Sequence, residues 1–122
     1  MKDYLVLGNS REVFRITTDD ILYVSAVGSC SHIYFTYGGS IEVKTQLGEI
    51  LELMWKLPHT GNCFIRLDRS LVINMLYLYY INFSDEKLVL LDRNKDKTVV
   101  EAPIKALREL ASRIKNEVKP DN

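Results

Sequence analysis

The sequence of 122 residues lacks the features that mark membrane-spanning and secreted proteins. No apolar run approaches the roughly 18 residues that a helix needs to cross a bilayer. Residues 1–7 contain neither the hydrophobic region nor the small-residue cleavage site of a signal peptide. We therefore expect a cytoplasmic protein without a membrane span.

Cysteine and histidine are scarce, with two residues of each type. Cys30 and Cys63 form no Cys-x-x-Cys unit, and together with His32 and His59 they match no zinc-binding spacing. No Gly-x-Ser-x-Gly motif, phosphate-binding glycine loop or His-x-x-x-His motif is present. The sequence therefore predicts free thiols, no metal, no cofactor, no catalytic residue and no enzymatic activity.

The sequence also lacks net charge, because 16 basic side chains balance 16 acidic ones. A DNA-binding face needs basic residues to neutralise phosphates, so the zero total is a mild argument against a nucleic-acid partner. The last segment is locally more basic, although a charged helix face is by default simply solvated. Its basic residues are Lys105, Arg108, Arg113, Lys115 and Lys119, against Glu109 and Glu117.

Two stretches have the hydrophobic period of a helix. The pattern from residue 47 to residue 57 predicts one helix, with Thr45 as its N-cap and Pro58 after its end. A second amphipathic pattern predicts a helix over residues 104–115, with Pro103 in its first turn.

The rest of the chain has the pattern of about nine short strands, which predicts a mainly β fold. We expect a single domain over residues 1–122, with its core at about 5–114 and a frayed tail at 115–122. Gly38-Gly39 predicts a hairpin with a two-residue loop and positive φ angles. The tyrosine-rich patch at residues 75–81 is interpreted as a buried strand.

The most informative stretch runs from residue 64 to residue 74, where two apolar strands flank a polar turn. We expect Phe64, Leu67, Leu71 and Ile73 to be buried. In the turn, an Arg-Ser pair held by two strands can offer a guanidinium fork and a hydroxyl to an anion or a base edge. The alternative is that Arg66 and Asp68 merely form a surface ion pair across the turn. The polar residues concerned are Arg66, Asp68, Arg69 and Ser70.

The pattern Phe-x-Arg-x-x-Arg-Ser-x-x-x-Asn in this stretch resembles the signature of the LytTR DNA-binding domain of bacterial transcriptional regulators. Residues 20–24 and 31–35 are similar to strands of that family, and residues 45–57 to its internal helix. The order and spacing agree from about residue 5 to residue 114. The resemblance implies an elongated stack of small, mostly antiparallel sheets with one internal helix and a C-terminal helix.

The resemblance also implies that loops at one end of the sheets contact DNA. The three main positions correspond to His32 and Arg69, which could contact bases, and Lys105, which could contact a phosphate near a helix N-terminus. Further candidates in the same segments are Ser31, Arg66, Ser70 and Asn74. Asp68 departs from the family, which usually has a histidine there, and we expect its carboxylate to repel phosphate, bond Arg69 and so modulate binding.

The implied partner is double-stranded DNA, with direct repeats that bind two copies. The chain could also have a protein partner, either a second copy in a homodimer or a second protein that supplies the signal. The alternative is a LytTR-like protein-interaction or regulatory module with weak or no DNA affinity. Many relatives carry a receiver domain before this one; the Met1 start and the Pro120-Asp121-Asn122 end favour an intact small protein over a trimmed regulator.

Overall fold

The computed structural model describes residues 2–117, which form three antiparallel sheets and two α-helices. This confirms the prediction of a mainly β fold with one internal helix and one C-terminal helix. No helix in the described range is long and apolar enough to cross a membrane. The strands are β1 Tyr4–Gly8, β2 Val13–Thr17, β3 Ile21–Val27, β4 Cys30–Phe35, β5 Ser40–Val43, β6 Phe64–Asp68, β7 Leu71–Asn74, β8 Leu78–Asn82, β9 Lys87–Leu91 and β10 Lys97–Glu101; the helices are α1 Leu47–Trp55 and α2 Ile104–Glu117.

The largest sheet has five strands in the order β5-β4-β3-β7-β6. The hairpin β1-β2 forms a second sheet, and β8, β9 and β10 form a third with β9 in the centre. Every strand pair is antiparallel. Short 3-10 turns at Thr18–Asp20 and Met75–Tyr77 join the sheets to one another, and a third at Gly61–Cys63 leads from α1 into β6.

Two hydrophobic cores lie on opposite faces of the five-stranded sheet. Alternate residues of β7 divide between them, with Val72 in the first core and Leu71 and Ile73 in the second, as the two-residue period of a strand requires. The first core is closed by α1 and the β1-β2 hairpin, and the second by α2 and the three-stranded sheet. The expected burial of the strands around the turn is confirmed, since the buried set contains Phe64, Leu67, Leu71 and Ile73.

Both helices form where the hydrophobic period predicts them, but their limits differ. The N-cap of α1 is Gln46 rather than Thr45, and no side chain caps it. Because the residue before a proline is disfavoured in a helical conformation, α1 ends at Trp55, ahead of Pro58. Pro103 directly precedes α2. Residues 115–117 are helical rather than frayed, and the rest of the predicted tail lies outside the described residues.

The hairpin at the two glycines is present, with positive φ angles of 95° at Gly38 and 81° at Gly39. Its loop has four residues rather than two, because β4 already ends at Phe35. The Phe35 amide donates to the carbonyl of Gly39, and the Gly38 amide donates to the carbonyl of Phe35. The glycines therefore take the left-handed positions that other residues avoid.

The prediction of a buried strand over residues 75–81 is wrong. Met75–Tyr77 is a 3-10 turn, and β8 begins only at Leu78. Because β8 is an edge strand of its sheet, Tyr79 and Tyr80 remain 61% and 49% exposed. Tyrosine suits such a half-covered position, since its ring is apolar and its hydroxyl can remain in water.

Candidate nucleic-acid interface

One row of paired residues crosses all five strands of the large sheet. In strand order the row is Glu42, His32, Ser25, Leu71 and Asp68. Just beyond it the chain turns between β3 and β4 at residues 28–29, between β6 and β7 at residues 69–70, and after β5 at residues 44–46. We call these three segments the turn edge. The edge therefore brings three separate parts of the sequence to one end of the sheet.

The β6-β7 turn is held by side chains from both of its sides. Asp68 Oδ1 accepts hydrogen bonds from the Ser70 amide at 2.8 Å and from Ser70 Oγ at 3.1 Å. Arg66 Nε donates to the carbonyl of Asp68 at 2.9 Å, and its Nη2 donates to the carbonyl of Arg69 at 2.8 Å. Three side chains thus fix this turn, and Arg69 stands exposed at its tip.

The expected bond between Asp68 and Arg69 does not form in the described part of the chain. The carboxylate is occupied by Ser70, because an aspartate readily accepts from the backbone two residues further on. The alternative ion pair between Arg66 and Asp68 is also wrong, since Arg66 contacts the Asp68 carbonyl and not its carboxylate. Asp68 therefore shapes the turn rather than withdrawing the arginine.

His32 lies in β4 on the face that carries the second core. Its Nε2 is 2.9 Å from Glu42 Oε2, and its side chain is 29% exposed. Tyr34, two residues along the same strand, faces the same side and stacks on Tyr23 with ring centroids 4.2 Å apart. Burial, and then the neighbouring Tyr34, raise the pKa of Tyr23 to about 12, so the phenol stays neutral. This uncharged aromatic stack sits beside a partly exposed imidazole.

Ser31 and Asn74 cannot contact DNA directly from their positions, which corrects the expectation for both. Ser31 is fully buried and its Oγ donates to the carbonyl of Thr45 at 2.7 Å. Asn74 is 1% exposed; its Nδ2 donates to the carbonyl of Ile21, and its Oδ1 accepts from the Leu76 amide. Both polar side chains satisfy buried backbone groups, as buried polar groups must.

Lys105 is exposed in the first turn of α2. Further along this helix, Arg113 and Asn116 line a shallow cleft with Asn62 and Ile65, at the start of β6. The C-terminal part of α2 therefore lies beside the start of β6, at the opposite end of that strand from the turn edge. Among residues 2–117, no hydrogen bond joins Lys105 to the β6-β7 turn.

Two exposed basic residues, one in the turn edge and one in a neighbouring turn, were missed by the sequence patterns. A small cleft lined by Asn9 and Glu12 on one side and by Lys44 and Thr45 on the other shows that the β1-β2 turn lies next to the segment after β5. Arg11 belongs to this β1-β2 turn, and both Arg11 and Lys44 are exposed. Only the packing of the hairpin on the sheet brings them together, and no local pattern reports it.

A family model described as the LytTr DNA-binding domain matches residues 11–112 of the chain. The chain belongs to this family. The match includes the turn edge, α1 and most of α2. LytTR is a DNA-binding family of transcriptional regulators and not a catalytic one.

A similar solved structure is the LytTr DNA-binding domain of a Bacillus cereus protein described as a methyl-accepting/DNA response regulator. The two chains share 19% sequence identity, with a TM-score of 0.57 over 95% of this chain and 96% of that one. At this identity the likeness shows that the LytTR fold is shared. None of the curated proteins compared with the chain matches it.

Proposed function

We propose that this LytTR protein is a sequence-specific regulator of transcription that contacts double-stranded DNA through its turn edge. Membership of a DNA-binding family is the observation that carries the proposal. An exposed arginine at the tip of a braced turn supports it, because base recognition needs a side chain that reaches out from a fixed backbone. We further propose that residues 1–122 form a single domain of this kind.

The proposed base contacts are Arg69 and His32. A guanidinium can bond guanine O6 and N7 together, and a neutral imidazole can donate to or accept from a base edge. Arg69 lies in the turn between β6 and β7, two to three strand spacings from the β4 strand of His32, which is about 10–14 Å at roughly 4.8 Å per spacing. At about 3.4 Å per base pair, the two side chains would contact positions roughly three to four base pairs apart.

The proposed phosphate contacts are Lys105, Arg11 and Lys44. Lys105 lies in the first turn of α2, where the free amides of a helix also attract anions. Lys44 is exposed at the turn edge, and Arg11 is exposed in the β1-β2 turn next to it. Local positive charge of this kind would let a chain of zero net charge bind DNA at one edge.

Selection from a pool of random or genomic DNA fragments tests the proposal. We expect a short enriched motif, and direct repeats if two copies bind together. Affinity for the motif should fall as salt rises, with a slope set by a handful of phosphate contacts. Recovery of no motif, with equally weak binding to all sequences, would contradict sequence-specific recognition.

A protein-interaction module is a second candidate function, favoured by one observation. Between β8 and α2 lies a largely apolar cleft of about 360 Å³, lined in part by Leu78, Tyr80, Phe83, Ala111 and Ile114. Exposed apolar surface of this kind is typical of contacts with protein. A second copy of the chain, or a protein that supplies the signal, would suit it. A stable protein partner with no DNA motif would favour this candidate.

A further inference from the structure

We infer that Arg66 is a positioning residue that holds the DNA-reading turn in its binding conformation and does not itself contact DNA. The inference rests on the proposed function of the turn edge. It replaces the expectation that Arg66, like Arg69, reaches outward to a base or a phosphate.

The direction of the Arg66 side chain carries the inference. Its Nε and Nη2 donate to two successive carbonyls of the turn, at Asp68 and Arg69. Bonds from a charged donor are stronger than neutral ones, and the planar fork of arginine suits two acceptors at once. Two of the three guanidinium nitrogens are therefore committed to the backbone of the chain itself.

The third nitrogen lies against α1. An added Cβ at Gly48, in the first turn of that helix, would be 3.7 Å from Arg66 Nη1. The guanidinium thus lies between the β6-β7 turn and the start of α1. The Arg66 side chain is exposed, but a phosphate or base could bond Nε or Nη2 only by displacing the carbonyls of Asp68 and Arg69.

The turn needs such support because its pairing is irregular. The register of β6 against β7 shifts between Arg66 and Asp68, so the regular ladder of backbone bonds is interrupted just before the tip. Asp68 fixes the Ser70 side of the turn, and Arg66 fixes the carbonyls of Asp68 and Arg69. Together they reduce the freedom that Arg69 would otherwise lose on binding DNA, and lost freedom of this kind weakens affinity.

The test compares Arg66→Ala and Arg66→Lys with Arg113→Ala. Arg113 is an exposed arginine of α2 that lines a cleft with Arg66 and serves as the matched control for lost charge. We expect both Arg66 variants to bind the selected motif about 3- to 10-fold more weakly, and the control to bind like wild type. A lysine keeps the charge but cannot bond two carbonyls with one planar group, so it should not restore affinity.

Three further measurements separate positioning from contact. In an Arg69→Ala background, Arg66→Ala should add less than about a 2-fold loss, because it acts through the residue already removed. In the free protein, the heteronuclear NOE values of the Arg69 and Ser70 amides should fall in both Arg66 variants and not in the control. The slope of affinity against salt should be the same in Arg66→Ala as in wild type, because a positioning residue neutralises no phosphate.

Restoration of affinity by Arg66→Lys, or an independent loss in the double variant, would overturn the inference and make Arg66 a phosphate contact. Unchanged NOE values with unchanged affinity would overturn it as well. If wild type binds no DNA sequence, the proposed function fails, while lower NOE values in the Arg66 variants would still identify Arg66 as the residue that orders the turn.

Discussion

The carboxylate of Asp3 binds Thr60 through both its backbone and its side chain. Asp3 Oδ2 accepts from the Thr60 amide at 2.7 Å and from Thr60 Oγ1 at 2.9 Å, and the His59 amide adds a third bond at 2.8 Å. Thr60 Oγ1 also lies 2.8 Å from Thr18 Oγ1. Asp3, which directly precedes β1, is thereby hydrogen-bonded to the connection between α1 and β6.

This contact predicts a loss of stability in acid. Burial raises the pKa of Asp3, but the bonds from Thr60 and His59 outweigh it and hold the pKa below its usual value. A lowered folded-state pKa gives stability that is fully present above the unfolded pKa of about 3.9 and is lost as pH falls through the folded value. Wild type should therefore be more stable than Asp3→Asn at pH 7, and this difference should shrink below about pH 4.

Urea unfolding of both proteins between pH 2 and pH 7 measures the difference. The control is Asp96→Asn, which changes an exposed carboxylate between β9 and β10. A stability difference for Asp3→Asn that stayed constant over this range would show that the carboxylate charge has no role.

Removal of Arg69 should weaken DNA binding at one base position. We expect Arg69→Ala to lose about 1–3 kcal/mol on the best sequence and to tolerate more bases at the contacted position. Lys105→Ala should instead weaken all sequences alike and reduce the salt slope by about one. Fluorescence anisotropy on the selected motif and its single-base variants measures both effects. Equal affinity of Arg69→Ala and wild type would remove this turn from the reading surface.

Replacement of Asp68 should separate its charge from its hydrogen bonds. Asp68→Asn keeps an oxygen that can accept from Ser70 but removes a negative charge from the turn proposed to contact DNA, so affinity should rise by about 0.2–1 kcal/mol. Asp68→Ala removes both the negative charge and the oxygen that accepts from Ser70, so this variant should bind DNA less tightly than Asp68→Asn. The same anisotropy assay compares the two variants. If they bind equally, the bond to Ser70 does not contribute to binding.

Asn74 should contribute to stability rather than to DNA recognition. Asn74→Ala leaves the Ile21 carbonyl and the Leu76 amide without their side-chain partner, which should cost about 1–3 kcal/mol of unfolding free energy. Sequence preference on DNA should not change. The control is Asn94→Ala at an exposed position. Urea unfolding measures the stability of both variants. Altered base preference without a loss of stability would return Asn74 to the binding surface.

Local sequence patterns predicted most of the fold, because strands and turns depend mainly on residues that are neighbours along the chain. The alternation of apolar residues around Arg69 placed both strands and the turn between them correctly, and the glycine pair marked the position of its hairpin. These features follow from strand period and backbone conformation alone.

The errors in the candidate site have a different origin. Ser31 is polar, and its burial depends on how the segment after β5 packs over it. The position of the β1-β2 turn, which carries Arg11, beside Lys44 likewise depends on the packing of one sheet on another. Asp68 had two local partners, Arg69 and Ser70, and the sequence could not rank an ion pair against a hydrogen bond of similar strength.

The position of β7 between two cores has a consequence for how binding specificity can change. All four residues of this strand are buried, and its three apolar residues contribute to both cores, whereas the tip of the turn before it is exposed. Substitutions in the strand should disturb the whole domain. A substitution at residue 69 should instead alter the preferred base with little effect on folding. The scaffold can therefore stay constant while related regulators diverge in the DNA sites that they bind.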